Sequence, residues 1–281
     1  MHRSTLAAWA LSLAAFGVCA EQVSWMAPTA LSENGAPVAL EVVIQTPAGA
    51  GPFPVVLFNH GSTGRGDDPA LFKQTYTSSA VSAFFNERGW AVVYPQRRGR
   101  GNSGGLYDEG FRPDRRVYSC EPQESLPGFE RALADLDAVL PALDARKELD
   151  TSRMLLAGQS RGGIVAVAYA GRHPGRFAGV INFVGGWMSD RCARAADINH
   201  VSLRRGAAYP HPMLWLYADG DPFYSLQHTR AGFEAFQAAG GRGTFQEYRS
   251  GYGSNGHLLI RYPQVWQPAV DAYLARLPGA R

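Results

Sequence analysis

This chain of 281 residues has almost no lysine and only three cysteines. Of its 27 basic residues only Lys73 and Lys147 are lysines, and the arginines are spread along the chain without forming a stripe. With a formal net charge of only +3, this distribution indicates no nucleic-acid partner. Histidine and cysteine never cluster at the spacing of metal ligands. The sequence therefore predicts neither a metal site nor a cofactor.

The chain also lacks an N-terminal apolar stretch long enough to cross a bilayer. The stretch from Leu6 to Val18 covers 13 residues, which is short for a membrane span. It follows Arg3 and ends in small residues, which is typical of a cleaved export signal. We therefore predict a signal peptide at residues 1–20, a periplasmic or secreted protein, and no stable membrane insertion. A buried N-terminal helix and a lipid anchor at Cys19 are the alternatives.

Removal of that segment would leave two cysteines, Cys120 and Cys192. An even pair in an exported protein favours a disulfide bond. A bridge that closes a loop of this length stabilises by roughly 4 kcal/mol in the chain-entropy account. Two buried thiols are the alternative, and neither cysteine lies in a pattern typical of a catalytic nucleophile.

Apolar runs alternate with stretches of helical periodicity from Val38 to the C-terminus. Continuous apolar strands that alternate with helices indicate a mostly parallel sheet covered on both faces. No internal repeat and no long linker divides the chain, so we predict one doubly wound α/β domain over residues 21–281. The expected strands are Val38–Thr46, Val55–Phe58, Trp90–Tyr94, Arg153–Gly158, Phe177–Val184, Met213–Tyr217 and Thr244–Tyr248.

Residues 187–212 interrupt this alternation. The segment is long, has little periodicity, and leaves the carboxyl end of its strand, which is the edge where open parallel sheets bind ligands. Loops of this length inside a compact domain are usually functional. We expect a cap over the binding pocket, with a merely decorative insertion as the alternative.

Ser160 is the centre of Gly158-Gln159-Ser160-Arg161-Gly162, which lies between an expected strand and an expected helix. In that context the pattern G-x-S-x-G indicates a nucleophile elbow. A serine on a strained strand-to-helix turn crowds its neighbours, so the residues two before and two after it must be small. We predict that Ser160 is the nucleophile; a plain glycine-rich turn is the alternative.

A serine hydroxyl is a weak nucleophile and needs a base that a third group orients. In a doubly wound sheet these partners follow later strands at the carboxyl edge. Asp219 and Asp221 follow one such strand, and we favour Asp221, which lies out on the turn. The alternative is that both only cap the next helix. Of the histidines after Ser160, His257 alone follows the last strand, and we predict it as the base.

The negative charge that develops on the substrate oxygen needs preorganised N–H donors. The backbone amide of Arg161 is one candidate, because it lies at a helix N-terminus. The second donor is expected in the turn His60–Gly64, where we choose the Ser62 amide, with Thr63 as the alternative. We expect His60 to brace this turn rather than transfer a proton.

With nucleophile, acid and base in the order Ser…Asp…His, the chain resembles the α/β-hydrolase superfamily. It is most similar to the branch of the dienelactone hydrolases and prolyl oligopeptidases, from about Val38 to the C-terminus. The resemblance rests on His60-Gly61, the R-G-x-G-x-S turn Arg98–Ser103, the elbow at Ser160, and the pairs Asp221-Pro222 and Gly256-His257.

The resemblance implies an α/β-hydrolase fold and cleavage through an acyl-enzyme intermediate. Dienelactone hydrolases proper carry a cysteine nucleophile, so the serine here favours hydrolysis of a small-molecule ester. Prolyl oligopeptidases carry an N-terminal propeller for which this chain has no room; a serine exopeptidase of that type is one alternative. A non-catalytic binding protein with the same fold is another. The sequence does not indicate an oligomeric state.

Overall fold

The computed structural model describes residues 21–277, so the predicted signal peptide lies outside the described residues. Strands and helices alternate along this part of the chain. The strands are β1 Glu21–Ala27, β2 Ser32–Glu33, β3 Ala36–Pro37, β4 Leu40–Thr46, β5 Phe53–Asn59, β6 Ala91–Pro95, β7 Leu149–Gln159, β8 Gly179–Phe183, β9 Met213–Ala218 and β10 Gly243–Tyr248. The α-helices are α1 Pro69–Phe72, α2 Ser79–Asn86, α3 Pro122–Asp144, α4 Arg161–Arg172, α5 Ala195–Arg204, α6 Leu226–Ala238 and α7 Pro263–Leu274, with 3-10 helices at Arg205–Ala208 and Gly256–Arg261.

Eight of the strands form one sheet in the order β1-β4-β6-β5-β7-β8-β9-β10. The six strands from β6 to β10 in this order are parallel, whereas β4 is antiparallel to both of its neighbours. The strands β2 and β3 form a separate two-residue ladder. The prediction of a mostly parallel, doubly wound sheet is confirmed.

The central strands are mainly apolar where helices cover both faces of the sheet, whereas the first half of β7 is polar and partly exposed. In β5 and β8 residues such as Leu57 and Ile181 have no exposed surface. Trp266 of α7 packs edge-on against Phe84 of α2 and Phe183 of β8. Helix α4 packs against β7, β8, α3 and α5. This packing fixes the carboxyl edge of the sheet, where the candidate site lies.

Of the elements that were not predicted, strand β1 and helix α5 are the longest. Strand β1 pairs with β4 at the edge of the sheet, and most of its residues are exposed or half-buried, so it lacks an apolar run. Helix α5 lies inside residues 187–212, which were expected to have little regular structure. That expectation was wrong because the polar residues Asn199 and Ser202 occupy part of the buried face of α5 and weaken the apolar periodicity.

The structure contains the predicted disulfide between Cys120 and Cys192, whose Cα atoms are 5.7 Å apart. The bridge joins the loop before α3 to the start of the segment 187–212. Over residues 21–277, every helix is too short or too polar to cross a lipid bilayer.

Candidate active site

Ser160 occupies the turn between β7 and α4 with φ of 56° and ψ of −125°. A positive φ is strained for a residue with a side chain and requires close support from its surroundings. A Cβ atom on Gly158 would lie 2.2 Å from the carbonyl oxygen of Gly162, and one on Gly162 would lie 2.0 Å from that of Asn59. The two glycines of the motif are therefore required by the close approach of backbone on both sides of the serine.

Hydrogen bonds hold this turn to the neighbouring elements. The Ser160 amide donates to the carbonyl oxygen of Phe183 in β8 at 3.0 Å. The Gln159 side chain donates to the carbonyl oxygen of His257, also at 3.0 Å. The residue before the serine therefore ties the elbow directly to the segment that carries the imidazole.

His257 lies at the start of the 3-10 helix after β10, and Asn255 accepts a hydrogen bond from its amide at 3.0 Å. The imidazole Nδ1 lies 2.8 Å from Oδ2 of Asp221, whose side chain is only 1% exposed. The other oxygen of Asp221 accepts hydrogen bonds from the backbone amides of Phe223 at 2.8 Å and Tyr224 at 3.1 Å. The two amides therefore hold the carboxylate in place, and its other oxygen orients the imidazole.

The structure brings Asp221, and not Asp219, to the histidine. The side chain of Asp219 is 59% exposed, and its nearest cation is Arg249 at 3.8 Å. Asp219 also accepts the amide of Gly220, a contact within its own turn. Of the two alternatives from the sequence, only Asp221 has the geometry of a group that orients a base.

Ser160 and His257 line one cavity of about 470 Å³ at the carboxyl edge of the sheet. Because Nδ1 of His257 is bonded to Asp221, Nε2 is the nitrogen left to exchange a proton with a reacting group. Five aromatic side chains from four separate segments form part of the cavity wall. These side chains are Tyr76, Tyr118, Trp187, Phe223 and Tyr224.

The two amides proposed for an oxyanion site also belong to residues of this cavity, Ser62 and Arg161. Arg161 is the first residue of α4, and the amides of a first turn have no partner inside the helix. The Thr63 amide donates to the hydroxyl of Tyr107 at 3.2 Å, whereas the Ser62 amide has no protein acceptor within residues 21–277. The geometry favours Ser62 over Thr63 as the second donor.

His60 is fully buried and hydrogen-bonded at both ring nitrogens. Nδ1 donates to the carbonyl oxygen of Gly61 at 2.7 Å, and Nε2 accepts the amide of Arg97 at 3.1 Å. Burial holds the pKa of His60 well below 6.5, and the charges of Arg97 and Arg100 act in the same direction. A neutral ring with both nitrogens occupied fits the expectation that His60 braces the turn.

Tyr224 was missed by the sequence analysis. Its hydroxyl donates to the carbonyl oxygen of Gly186 at 2.7 Å. Burial raises the pKa of Tyr224, while the charge of Arg161 and a hydrogen bond with Ser160 act in the opposite direction. The residue lies three positions after Asp221 on the same turn.

Glu109 was missed as well. Its carboxylate is 2% exposed and pairs with the guanidinium groups of Arg97 and Arg161. Burial opposes its ionisation, but Arg97, Arg161 and Arg100 together hold the pKa of Glu109 below its usual value. The run of arginines after β6 therefore does more than form a turn, because part of it is buried beside the cavity.

Residues 74–189 match a family model described as serine aminopeptidase, S33. The matched residues include Ser160 but end before Asp221 and His257. No curated protein sequence matches the chain. The family match therefore supports the elbow and says nothing of the other two side chains.

Solved structures resemble the chain over most of its length. The esterase Pf2001 of Pyrococcus furiosus aligns with a TM-score of 0.63 at 15% identity, covering 92% of both chains. A putative dienelactone hydrolase of Klebsiella pneumoniae aligns with a TM-score of 0.54 at 18% identity, covering 89% of this chain and 98% of its own. The acylaminoacyl peptidase of Pyrococcus horikoshii aligns with a TM-score of 0.61 at 14% identity, covering 92% of this chain and 42% of its own.

Proposed function

We propose that this chain, which has the fold of the α/β-hydrolases, is a member of that superfamily and an exported serine hydrolase that cleaves carboxylic esters through an acyl-enzyme intermediate. The observation that carries the proposal is the buried Asp221–His257 hydrogen bond of 2.8 Å beside a cavity that Ser160 also lines. Nucleophile, base and orienting acid come from three different strand ends, which is the arrangement that acyl transfer requires.

In the first half of the reaction, Ser160 Oγ attacks the ester carbonyl carbon while Nε2 of His257 takes the hydroxyl proton. Asp221 holds Nδ1 and stabilises the imidazolium that forms. The amides of Ser62 and Arg161 bind the oxyanion of the tetrahedral intermediate. As the intermediate collapses, the acyl–oxygen bond breaks and His257 gives its proton to the departing alcohol.

In the second half, a water molecule gives a proton to His257 and attacks the acyl-enzyme. The bond to Ser160 breaks, Ser160 recovers its proton from the imidazolium, and the carboxylic acid leaves. One water is consumed for each ester, and no group outside the chain is required for either step.

The disulfide supports export, because such bridges persist in oxidising compartments. We accordingly propose cleavage of residues 1–20. We also propose that the segment 187–212 covers the substrate, because Trp187, Met188 and Ser189 at its start form part of the cavity wall.

A serine exopeptidase is the second candidate, favoured by the S33 family match. Enzymes of that type need an acidic group to hold the free amine of a peptide. The cationic side chains that line the cavity are those of Arg100 and Arg161, and no aspartate or glutamate is among the lining residues. A cavity with this charge repels an amine, so the ester is the better substrate.

Replacement Ser160→Ala tests the proposal. We expect kcat on nitrophenyl esters to fall by at least about 10⁴-fold and labelling by a fluorophosphonate probe to disappear. Ser189→Ala, at another serine of the cavity wall, should keep both. Turnover or labelling that survives in Ser160→Ala would refute the nucleophile, and aminoacyl nitroanilides cleaved faster than nitrophenyl esters would favour the exopeptidase.

A further inference from the structure

Glu109 lies on the loop between β6 and α3 and is only 2% exposed. It does not line the cavity, yet its carboxylate is the centre of a hydrogen-bond network beside it. Oε1 accepts Nε of Arg97 at 2.7 Å, and Oε2 accepts the hydroxyl of Tyr107 at 3.0 Å. A carboxylate buried in this way acts on a substrate only through the groups that it holds.

Arg97 carries the position of Glu109 to the turn His60–Gly64. Its Nη1 donates to the carbonyl oxygen of His60 at 2.9 Å, and its Nη2 donates to that of Gly61 at 3.2 Å. The Gly61 carbonyl also accepts Nδ1 of His60 at 2.7 Å. One guanidinium therefore holds two consecutive carbonyl groups of the turn while the carboxylate fixes its Nε.

The direction of the Ser62 amide follows from the Gly61 carbonyl, because both groups belong to one trans peptide unit. In such a unit the C=O and N–H bonds point in opposite directions. The carbonyl is turned towards Arg97, so the N–H points away from it, and Ser62 lines the cavity. A Cβ atom on Gly61 would lie 3.8 Å from Oγ of Ser160, so this peptide unit is next to the proposed nucleophile.

Tyr107 holds the other side of Ser62. Its hydroxyl accepts the amide of Thr63 at 3.2 Å while it donates to Glu109. Burial and the charge of Glu109 raise the pKa of Tyr107, so the hydroxyl keeps the proton that it donates. The groups on both sides of the Ser62 amide are thus occupied, and in the described part of the chain this amide alone is left for a ligand in the turn's centre.

Glu109 also contacts the residue that carries the other proposed oxyanion donor. Nη1 of Arg161 donates to the carbonyl oxygen of Glu109 at 2.6 Å and lies 3.5 Å from its Oε2. The guanidinium of Arg161 lies 3.4 Å from the ring centroid of Tyr118 and 4.2 Å from that of Trp187, which limits its movement. Both residues whose amides are proposed as donors, Ser62 and Arg161, are therefore connected to the same buried carboxylate.

We propose that Glu109 is a positioning residue for the oxyanion site, which it sets by fixing Arg97 and Tyr107 on either side of the Ser62 amide. This inference rests on the proposed ester hydrolysis. Donors stabilise an oxyanion most when they are fixed before the charge develops, because they then need no reorganisation during the reaction. Glu109 touches no reacting atom, and its effect reaches the substrate through the turn.

A trifluoromethyl ketone tests oxyanion binding separately from binding to the cavity. When Ser160 adds to the carbonyl carbon of phenyl trifluoromethyl ketone, His257 takes the serine proton and the carbonyl oxygen becomes an anion. Phenyl methyl ketone has a similar shape and forms no stable adduct, so it measures binding to the cavity alone. In Glu109→Gln we expect Ki of the trifluoromethyl ketone to rise by roughly 10- to 100-fold and kcat on a nitrophenyl ester to fall by a similar factor. KM and the affinity for phenyl methyl ketone should stay within about threefold of the wild type.

Two further variants test the route through Arg97. Arg97→Met should raise the same Ki, and the double variant with Glu109→Gln should raise it no more than the larger single effect, because the two residues act in series. Asp135→Asn is the matched control, since Asp135 is a buried carboxylate that instead accepts the amide and Nε of Arg98. It should lower the melting temperature and keep the wild-type ratio of the two ketone affinities.

Tyr107→Phe keeps the test decisive if the other variants do not fold, because it removes a single hydroxyl from the network. We expect it to raise Ki of the trifluoromethyl ketone by at least about threefold. Folded variants that bind this ketone as tightly as the wild type would overturn the proposal, and so would an equal loss in Asp135→Asn. A wild-type protein that forms no adduct by fluorine NMR would refute the proposed function itself, and the positioning role with it.

Discussion

Two groups of buried polar residues face the same cavity, and they differ in how completely they are paired. Around Asp221 both carboxylate oxygens are bonded, to His257 and to two backbone amides. Around Glu109 three arginines share one carboxylate, and guanidinium nitrogens of Arg100 and Arg161 have no acceptor in the described chain.

The difference follows from what each group has to do. A fully bonded network holds one geometry whether or not a ligand is present, which suits proton transfer at a fixed distance. Around Glu109 the guanidinium groups outnumber the carboxylate, so net positive charge is buried beside the cavity. The comparison teaches that the groups proposed for chemistry are fully paired, whereas the arginine group beside them keeps unpaired donors.

The largest expected effect is on kcat and concerns Asp221, the carboxylate whose two oxygens are both hydrogen-bonded. In Asp221→Asn the imidazole loses the carboxylate that stabilises its cation, and the amide favours the wrong tautomer, so kcat should fall by about 10⁴-fold. Steady-state kinetics on a nitrophenyl ester measures the loss. Asp219→Asn is the matched control and should remain close to the wild type, since its side chain is exposed. A larger loss in Asp219→Asn than in Asp221→Asn would reverse the assignment of the acid.

The next largest effect is on stability and concerns the disulfide near Arg161. This bond joins the loop that carries Tyr118 to the segment that begins with Trp187. These two rings enclose the guanidinium of Arg161. The double replacement Cys120→Ala and Cys192→Ala should lower the free energy of unfolding by up to roughly 4 kcal/mol. Urea unfolding measures the change.

Fluorophosphonate labelling of the double variant, at urea concentrations below its unfolding midpoint, tests whether the active site survives without the disulfide. The label should still react, because the Asp221–His257 pair does not depend on the bridge. An unchanged free energy of unfolding would show that the two segments hold together without the bond, and the wild type treated with reductant serves as a control for the replacements.

The smallest effect is on the pH dependence of stability and concerns His60. Its Nε2 accepts a hydrogen bond from the backbone amide of Arg97, one of the arginines around Glu109. The unfolded chain protonates this histidine below about pH 6.5, whereas the folded chain, where its pKa is lower, does not. The free energy of unfolding should therefore decrease as the pH falls below 6.5, by at most about 1.4 kcal/mol per pH unit from this group. His60→Gln should reduce the slope measured between pH 6.5 and 5.5.

His211→Gln provides the control for this slope, because that histidine is exposed. If His60→Gln and the wild type lose stability at the same rate over this pH range, burial of a neutral His60 contributes nothing to acid sensitivity.

The sequence predicted the central strands well because burial on both faces requires mostly apolar residues, as in Phe177–Val184. It did not predict β1, since an edge strand alternates exposed and half-buried residues and leaves no such run. It missed α5 because the buried positions of that helix include Asn199, whose side chain accepts the amides of Trp187 and Met188 at 2.9 Å. Polar residues that serve tertiary contacts remove the pattern from which a helix is predicted.

Some residues of the candidate site could be predicted from the sequence, and others could not. Ser160, Asp221 and His257 follow strands and belong to local patterns, so their approach at one edge follows from topology. The burial of Arg100 depends on how the long loop after β6 folds over the cavity, and nothing in the local pattern distinguishes Arg100 from Arg98. Which of two nearby arginines receives a carboxylate is decided by distant residues, Asp135 and Glu33.

The turn from Asp221 to Tyr224 has a consequence for the surroundings of the proposed base. Phe223 is 47% exposed and meets the ring of His257 edge-on, with centroids 4.8 Å apart. An exposed aromatic ring therefore lies against the proposed base, on the side chain next to the proline that follows the acid. The short turn that holds Asp221 thus also supplies a ring that contacts the imidazole.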